Sequence, residues 1–527
     1  MPLFRALPTS SLEGPQAVHS QRILSTLFSA ALLVACGSGE SSSPGGAPPV
    51  TPSPSACAPG ARSLAGVAVG YNLNVLFWEG LYADPALLAA VRSLGAPMLR
   101  YPGGTESDYF HWNAGRPVES CRYSTCRTWD NLTLRPPALY QSFGGHTQGT
   151  PASLAALSGA TGGAPLFVAN MVTAGPDEMV AWLGAARAAG LDASRVELGN
   201  EPYFAQVEGT NNNAVVFPDA AANATSARAL AQRLRASWPG LRLAQPAFVP
   251  RIDLATGQPD PRQDQHMLTW NEGILAAGAA DYADAFALHF YPVLPPRGGA
   301  SERDYLAELG THAARYWRAT RSAAQGRLLP AALALGITEV NGSFDNANEL
   351  VGTWMHGLYM AQFALRALED GRVELLIAHM LTGNPQWQTV VHPGRVPDVA
   401  PAAGYQSYAL TAQGRALAAV AAALAGGQCG RTLASAELAG ASDPERVASW
   451  LVTQGQVQRL VVVNADAAAV RVDLAGAGWH AGTGRVLSAA PLARISDPGL
   501  VSEASLSLAQ PRLEVPPYSI AMIERTR

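Results

Sequence analysis

Charge is scarce in this sequence. Of 527 residues only 14% are Asp, Glu, Lys or Arg, the formal net charge is -4, and no run of basic residues occurs. Such a chain offers no electrostatic footprint to a phosphate backbone, so nucleic acid is not an expected partner. Beyond the N-terminal segment, no stretch reaches the roughly 18 unbroken apolar residues of a membrane helix. Cysteine is sparse, five in all, and none has a CxxC partner or a nearby His pair, which argues against a zinc framework. No GxGxxG follows the first β-like run, which weighs against a doubly wound open sheet, the alternative architecture. What is present, 48% hydrophobic residues with 51 Gly and 39 Pro, describes an ordinary globular chain with many loops. Its length suits a large barrel plus a smaller module.

The N-terminus reads as an address. After Arg22 comes "ILSTLFSAALLV", too short to span a bilayer comfortably and the right length for a signal-peptide core. "LVAC" then places small residues before Cys36. This resembles a bacterial lipoprotein signal over residues 1–36, and the resemblance implies lipidation of Cys36, export, and anchoring in the cell envelope by lipid alone. An ordinary secretory signal with an incidental cysteine is the other reading. Residues 37–60, rich in Ser, Pro and Gly, form a tether. Four cysteines remain, an even number in an exported chain. Cys121 and Cys126 in "CRYSTC" suit a short staple, and elimination leaves Cys57 with Cys429. "NLT", "NAT" and "NGS" match the glycosylation pattern by chance in a bacterial lipoprotein.

From about residue 64, short β-like runs alternate with amphipathic helical stretches, the signature of βα units around a parallel sheet. The runs begin at Ala65, Pro97, Pro165, Arg195, Leu241, Ala285, Leu333 and Val373. The helices carry their own punctuation. Asp84 caps, Pro85 suits the first turn, Leu87, Leu88, Val91 and Leu94 make one face, and Gly95 stops. Eight such units predict an α/β fold, a (β/α)8 TIM barrel over 61–415. From 416 to 527 the texture becomes β-rich and alternating, with no convincing helix, which predicts a β-sandwich. Residues between Cys57 and Val69 are expected to lend it a strand.

In a barrel, chemistry sits where C-terminal strand ends meet loops. Glu201, in "VELGNEPYF", ends the fourth run, and Glu339, in "LALGITEVNG", ends the seventh. A lone carboxylate there is usually structural, but two across one barrel mouth are the minimum kit for glycoside hydrolysis, one as acid/base and one as nucleophile. No metal or organic cofactor is required. The nucleophile needs a cation or hydrogen bonds to stay ionised. Arg100 suits that role, and His289 and Tyr291 suit orienting Glu339 or contacting sugar. Trp78, Trp112, Tyr203 and Trp387 are candidate stacking faces, with Asn170 and Gln388 as polar contacts and Asn211 to Asn213 in a loop over the cleft.

"ELGNEPYF" resembles the acid/base segment of the retaining (β/α)8 glycoside hydrolases of clan A. The resemblance implies Glu201 as acid/base, Asn200 on the sugar 2-hydroxyl and Glu339 as nucleophile. Within that clan, "LRYPGGTESDYFHW" is similar to the second-strand segment of the heparanase and β-glucuronidase family, glycoside hydrolase family 79. This would bring Gly103, Gly104, Thr105 and Asp108 to the substrate end. "LRYPGG" also resembles α-L-arabinofuranosidases of the same clan, and "GITEVNGSF" departs from the heparanase nucleophile loop. The expected substrate is an oligo- or polysaccharide outside the cytoplasm, with Arg100 and Arg395 as candidate uronate contacts. The alternatives are another clan A glycosidase, an arabinofuranosidase among them, or a non-catalytic polysaccharide-binding lipoprotein.

Overall fold

A computed structural model describes residues 57–74, 83–95, 97–119, 134–136, 149–207, 209–321, 329–344, 348–383, 386–391, 408–494, 500–508 and 510–527. Outside them lie residues 1–56, with the expected signal segment, Cys36 and the expected tether up to residue 56, and Trp78, Cys121, Cys126 and Arg395.

The eight expected runs become eight parallel strands that close into one barrel in chain order. They are Ala68–Asn72, Met98–Tyr101, Ala164–Val168, Arg195–Glu197, Arg242–Ala247, Ala285–Phe290, Ala334–Val340 and Val373–Ala378. Strands covered on both faces read as near-continuous apolar runs, which is why each stood out in the sequence. Inside the barrel, Met98, Leu166, Leu375 and Ile377 pack on one another. Two residues beyond Met98 on the same strand, Arg100 points the same way by the period of two, so this apolar layer is a floor beneath polar strand ends.

The outer helices form where the punctuation places them. Asp84 accepts from the Ala86 and Leu87 amides, and Leu87, Ala90 and Val91 are the buried face of Pro85–Arg92. One helix departs from the sequence reading: Ala412–Leu424 crosses the expected boundary at 415. Its Ala-rich stretch favours helix, and β structure resumes only at Cys429–Arg431.

The C-terminal module is a sandwich of a seven-stranded and a three-stranded antiparallel sheet. Between them lies an apolar core that includes Leu460, Val462, Val472, Trp479, Leu513 and Val515. Arg62–Ser63 joins the larger sheet, pairing antiparallel with Gly430 and Cys429. A Cys57–Cys429 disulfide, Cα atoms 5.7 Å apart, fastens that edge. The sheet's other face packs on the barrel, where Trp450, Val461 and Ile520 share a core with Leu358 and Leu365. Two indole N–H groups cross this seam, Trp450 to the Leu365 carbonyl at 2.8 Å and Trp354 to the Tyr518 carbonyl at 2.7 Å. The two modules are thereby one packed unit.

Candidate active site

Strand register assembles the mouth of the barrel. Asn72 and Arg100 are partners across the first and second strands, and His289 and Glu339 across the sixth and seventh. Between Leu288 and His289 the register shifts past Thr338. Such a bulge re-aims side chains, and here Thr338 and Glu339 both reach interior partners: Thr338 Oγ1 donates to Glu197 Oε1 at 3.3 Å, and Arg100 Nη1 donates to Glu339 Oε1 at 2.6 Å. After the fourth strand the chain turns through Gly199 at φ 95 to Glu201, itself at φ 42. That left-handed backbone costs a non-glycine residue about 1–2 kcal/mol and persists only where its surroundings hold it. The Phe204 amide and the Asn213 side chain do so, both donating to the Glu201 carbonyl, at 3.1 and 3.3 Å.

Arg100 is the centre of the site. Its Nε and Nη2 donate to the two Glu197 oxygens at 2.8 and 2.9 Å, and Nη2 also to Asn200 Oδ1 at 2.8 Å. Glu339 receives two more hydrogen bonds and has an imidazole nearby. Tyr291 OH donates to Oε2 at 2.5 Å, Asn72 Nδ2 to Oε1 at 3.3 Å, and His289 Nδ1 lies 3.7 Å from Oε2. His289 Nδ1 stands 2.9 Å from Glu201 Oε1, and Tyr203 OH donates to the same oxygen at 3.4 Å. The Glu201 side chain is 18% exposed and that of Glu339 5%, so Glu201 is the carboxylate more open to solvent.

Burial opposes charge on each of these groups, and their neighbours decide the outcome. Burial would raise Glu339, but the charges around it, with the Tyr291 hydrogen bond, bring it down to about 2. Burial lowers His379, so His379 is neutral at pH 7, and the cations that hold Glu339 ionised are Arg100 and His289. Burial would also lower His289, yet the charge of Glu339 and hydrogen bonds to Glu197 and Glu201 carry it up to about 10. Glu197 stays low and Arg100 high because each offsets the other's desolvation. Two cations, Arg100 and His289, thus balance two carboxylates, Glu197 and Glu339, with Glu201 a third carboxylate beside them. One ligand atom from each of Glu201, His289 and Glu339 lies within 4.8 Å of the others. That spacing would also suit a metal ion.

The structure brings Glu201, Glu339, Asn200, Tyr203, His289, Tyr291 and Gly104 together at one end of the barrel. A Cβ on Gly104 would sit 3.5 Å from Glu339 Oε1. Thr105 is partly exposed at the start of a short 3-10 segment. Trp387, partly exposed, meets His379 and Tyr291 with ring centroids 5.3 and 6.0 Å away. Asn212 and Asn213 begin a short helix just after the Glu201 turn.

Others need correction. Arg100 is fully buried and its donors are consumed by Glu197, Glu339, Asn200 and the Gly103 carbonyl, so its guanidinium is committed to partners within the protein. Asp108 is 1% exposed; burial raises its pKa well above the usual range, with the Asn200 backbone beside it, and it lies beneath the surface. Asn170 spends its amide within the protein, accepting from three backbone amides of its own loop and donating to Thr173 Oγ1 and to Phe110 O. Tyr203 offers its hydroxyl, while its ring is packed against Phe204, Phe248 and Trp270. Gln388 is buried.

Sequence reasoning passed over Glu197, Asn72 and His379. Each is a polar residue near the end of a recognised run, and the strand-end rule applied to all eight runs would have found them. Glu197 also had the stronger sign of a charge inside an apolar strand.

No family model and no curated protein matches the chain. Among solved structures, it is similar to an α-L-arabinofuranosidase from Thermotoga maritima, with TM-score 0.58 and 15% identity over 89% of this chain and 98% of that one. A family 51 α-L-arabinofuranosidase from Bifidobacterium longum gives TM-score 0.60 and 15% identity over 90% and 98%. A 4-O-α-L-rhamnosyl-β-D-glucuronidase from Fusarium oxysporum gives TM-score 0.53 and 16% identity over 89% and 98%. These likenesses reach across nearly the whole of each relative without singling out the heparanase and β-glucuronidase family, and they establish the shared fold, a (β/α)8 barrel followed by a β-sandwich.

Proposed function

We propose that the protein is a retaining glycoside hydrolase in which Glu339 is the nucleophile and Glu201 the acid/base. One observation carries this: carboxylate oxygens of the two residues approach within 4.8 Å. Retaining enzymes hold their carboxyl groups about 5–5.5 Å apart, whereas inverting enzymes need about 6.5–9.5 Å to admit water. Glu339, kept ionised by Arg100 and His289, attacks the anomeric carbon as Glu201 protonates the departing oxygen. The bond to the leaving group breaks and a glycosyl-enzyme ester forms. Glu201, now a carboxylate, takes a proton from water as its oxygen attacks, releasing Glu339 and the sugar. Asn200, its oxygen fixed by Arg100, presents its N–H group as the donor to a sugar hydroxyl.

For the sugar, the segment "LRYPGGTESDYFHW", similar to the second-strand segment of the heparanase and β-glucuronidase family, favours a β-glucuronide. An α-L-arabinofuranoside is the second reading, favoured by the likeness to the Thermotoga and Bifidobacterium enzymes. Lipidation at Cys36 would place the enzyme outside the cytoplasm, anchored to the envelope. The test is a panel of aryl β-glucuronide, α-L-arabinofuranoside, β-xyloside and β-glucoside with wild type, Glu339→Ala and Glu201→Gln. Turnover of one glycoside that both variants lose by roughly 10³-fold or more is expected. Activity retained in either variant refutes the assignment, and polysaccharide binding with no turnover would indicate a binding protein.

A further inference from the structure

We propose that the C-terminal module is a working part of the catalytic site, acting through two positioning residues, His356 and Asn341. These hold the ends of the seventh and eighth strands around Glu339. The inference rests on the glycosidase reading for its consequence and on geometry for its substance.

It begins with the helix Trp354–Ala367, whose first backbone amides have no partner within the helix. The Trp354 amide donates to the Ala493 carbonyl at 3.2 Å and the Met355 amide to the Pro491 carbonyl at 2.8 Å. Both acceptors belong to the sandwich, in the turn after Gly482–Ser488. The next amide, of His356, is taken by Thr353 Oγ1 at 3.2 Å. Trp354 adds its indole bond to the Tyr518 carbonyl. The second module therefore completes the cap of a barrel helix.

That first turn carries His356, which is 3% exposed. Burial pushes its pKa down to about 3, so the ring is neutral. Its Nε2 lies 2.9 Å from Asn341 Oδ1, and because a carbonyl oxygen only accepts, Nε2 is the protonated nitrogen. The Gly342 amide donates to the same oxygen at 2.8 Å. With its oxygen so fixed, Asn341 turns its amide nitrogen to the carbonyls of His379 and Trp387. Trp387 Nε1 returns a bond to the Gly342 carbonyl at 3.1 Å. Asn341 is two residues past Glu339, His379 Nδ1 lies 3.6 Å from Glu339 Oε2, and the Trp387 ring packs against His379. One buried side chain thus clasps the nucleophile's strand to the loop beside it, and the sandwich sets the helix that sets the side chain.

The experiment compares His356→Ala, His356→Gln and Trp354→Phe in the full chain. It reads kcat and KM on the hydrolysed aryl glycoside, and amide hydrogen exchange over 338–343 and 379–383. A misplacement of about 1 Å far from the chemistry costs on the order of 10²-fold. His356→Ala should therefore lose about that factor in kcat with KM nearly unchanged, and faster exchange should appear in both segments but not in the sandwich strands. His356→Gln, which restores a donor, should recover most of both, and Trp354→Phe should shift both in the same direction by less. Unchanged kcat or unchanged exchange in His356→Ala overturns the proposal, as does equal loss in the Ala and Gln variants. If wild type hydrolyses no glycoside, the glycosidase reading has failed, and the exchange data still decide whether the clasp exists.

Discussion

His289 Nδ1 lies 2.9 Å from Glu201 Oε1 while the ring's other nitrogen lies 3.5 Å from Glu197 Oε1. The imidazole therefore bridges the carboxylate at the mouth to the one in the barrel interior, and it does so as a cation. A group whose folded pKa is raised contributes stability in full below its unfolded value and loses it as pH rises through the folded value. For His289 that window runs from about 6.5 to about 10. Thermal melts of wild type and His289→Gln across this range should show a stability gap that is widest near pH 6 and narrows toward pH 10. A gap that stays constant would mean that the ring is neutral in the fold.

Adjacent glycines in "YPGGT" should behave differently. Gly103 has φ +145, and a Cβ there would meet Glu106 Oε1 at 2.2 Å and the Asn74 backbone at 2.5 Å. Gly103→Ala should destabilise by at least ~1–3 kcal/mol. Gly104 keeps a negative φ of -74, but at ψ -130 it lies outside the regions that L-residues favour, and its Cβ would make ordinary contacts, the nearest to Glu339 Oε1 at 3.5 Å. Gly104→Ala should be destabilised less than Gly103→Ala, since no atom would clash with its Cβ, and should lose roughly tenfold in kcat/KM, about 1.4 kcal/mol, because the methyl fills space beside the nucleophile that substrate must enter. Urea unfolding and steady-state kinetics on both variants check the contrast, and a Gly104→Ala variant destabilised as much as Gly103→Ala would contradict it.

The barrel was legible because each strand is covered on both faces, so apolar runs and helix punctuation were read without knowing the packing. Strand ends placed Glu201, Glu339, His289, Tyr291 and Arg100 at one mouth, and Arg100 proved to be the cation at Glu339. Orientation was not legible. The bulge at Thr338 breaks the alternation that would have assigned inward and outward residues. Asn170 looks like a ligand-binding strand end, but its side chain caps its own loop. Asn341 and His356 become partners only through a helix that the sandwich holds, a contact between segments that no local pattern encodes.

Arg100 binds Glu197 and Glu339 with no exposure of its own. Removing one partner of a buried pair strands the other charge and costs about 3–5 kcal/mol, while replacing both together is often nearly neutral. Arg100→Met should thus be strongly destabilised, and Arg100→Met combined with Glu197→Gln should recover much of the loss. Activity should return in neither, since Glu339 would still lack its closest cation. Urea midpoints and kcat measure the two effects separately, and additive losses in the double variant would show that Arg100 and Glu197 are not a coupled pair.

The nucleophile's own ionisation bears on the acid limb of activity. Glu339 is held down to about 2 by charged neighbours and the Tyr291 hydroxyl, against an ordinary value of 4.5. A depressed carboxyl favours the folded state above its unfolded pKa and loses that contribution only as pH falls through the folded one. Over the same interval it remains competent to attack. Initial rates of kcat/KM should therefore show no loss attributable to Glu339 between about pH 3 and 5. Tyr291→Phe removes a donor at 2.5 Å from Oε2, which lets the Glu339 pKa climb toward the ordinary range. The variant's acid limb should move upward in pH along with a lower kcat. Coincident limbs in the two proteins would mean that Arg100 and His289 alone hold Glu339 ionised, and a wild-type limb near 4.5 would mean that the network does not depress it.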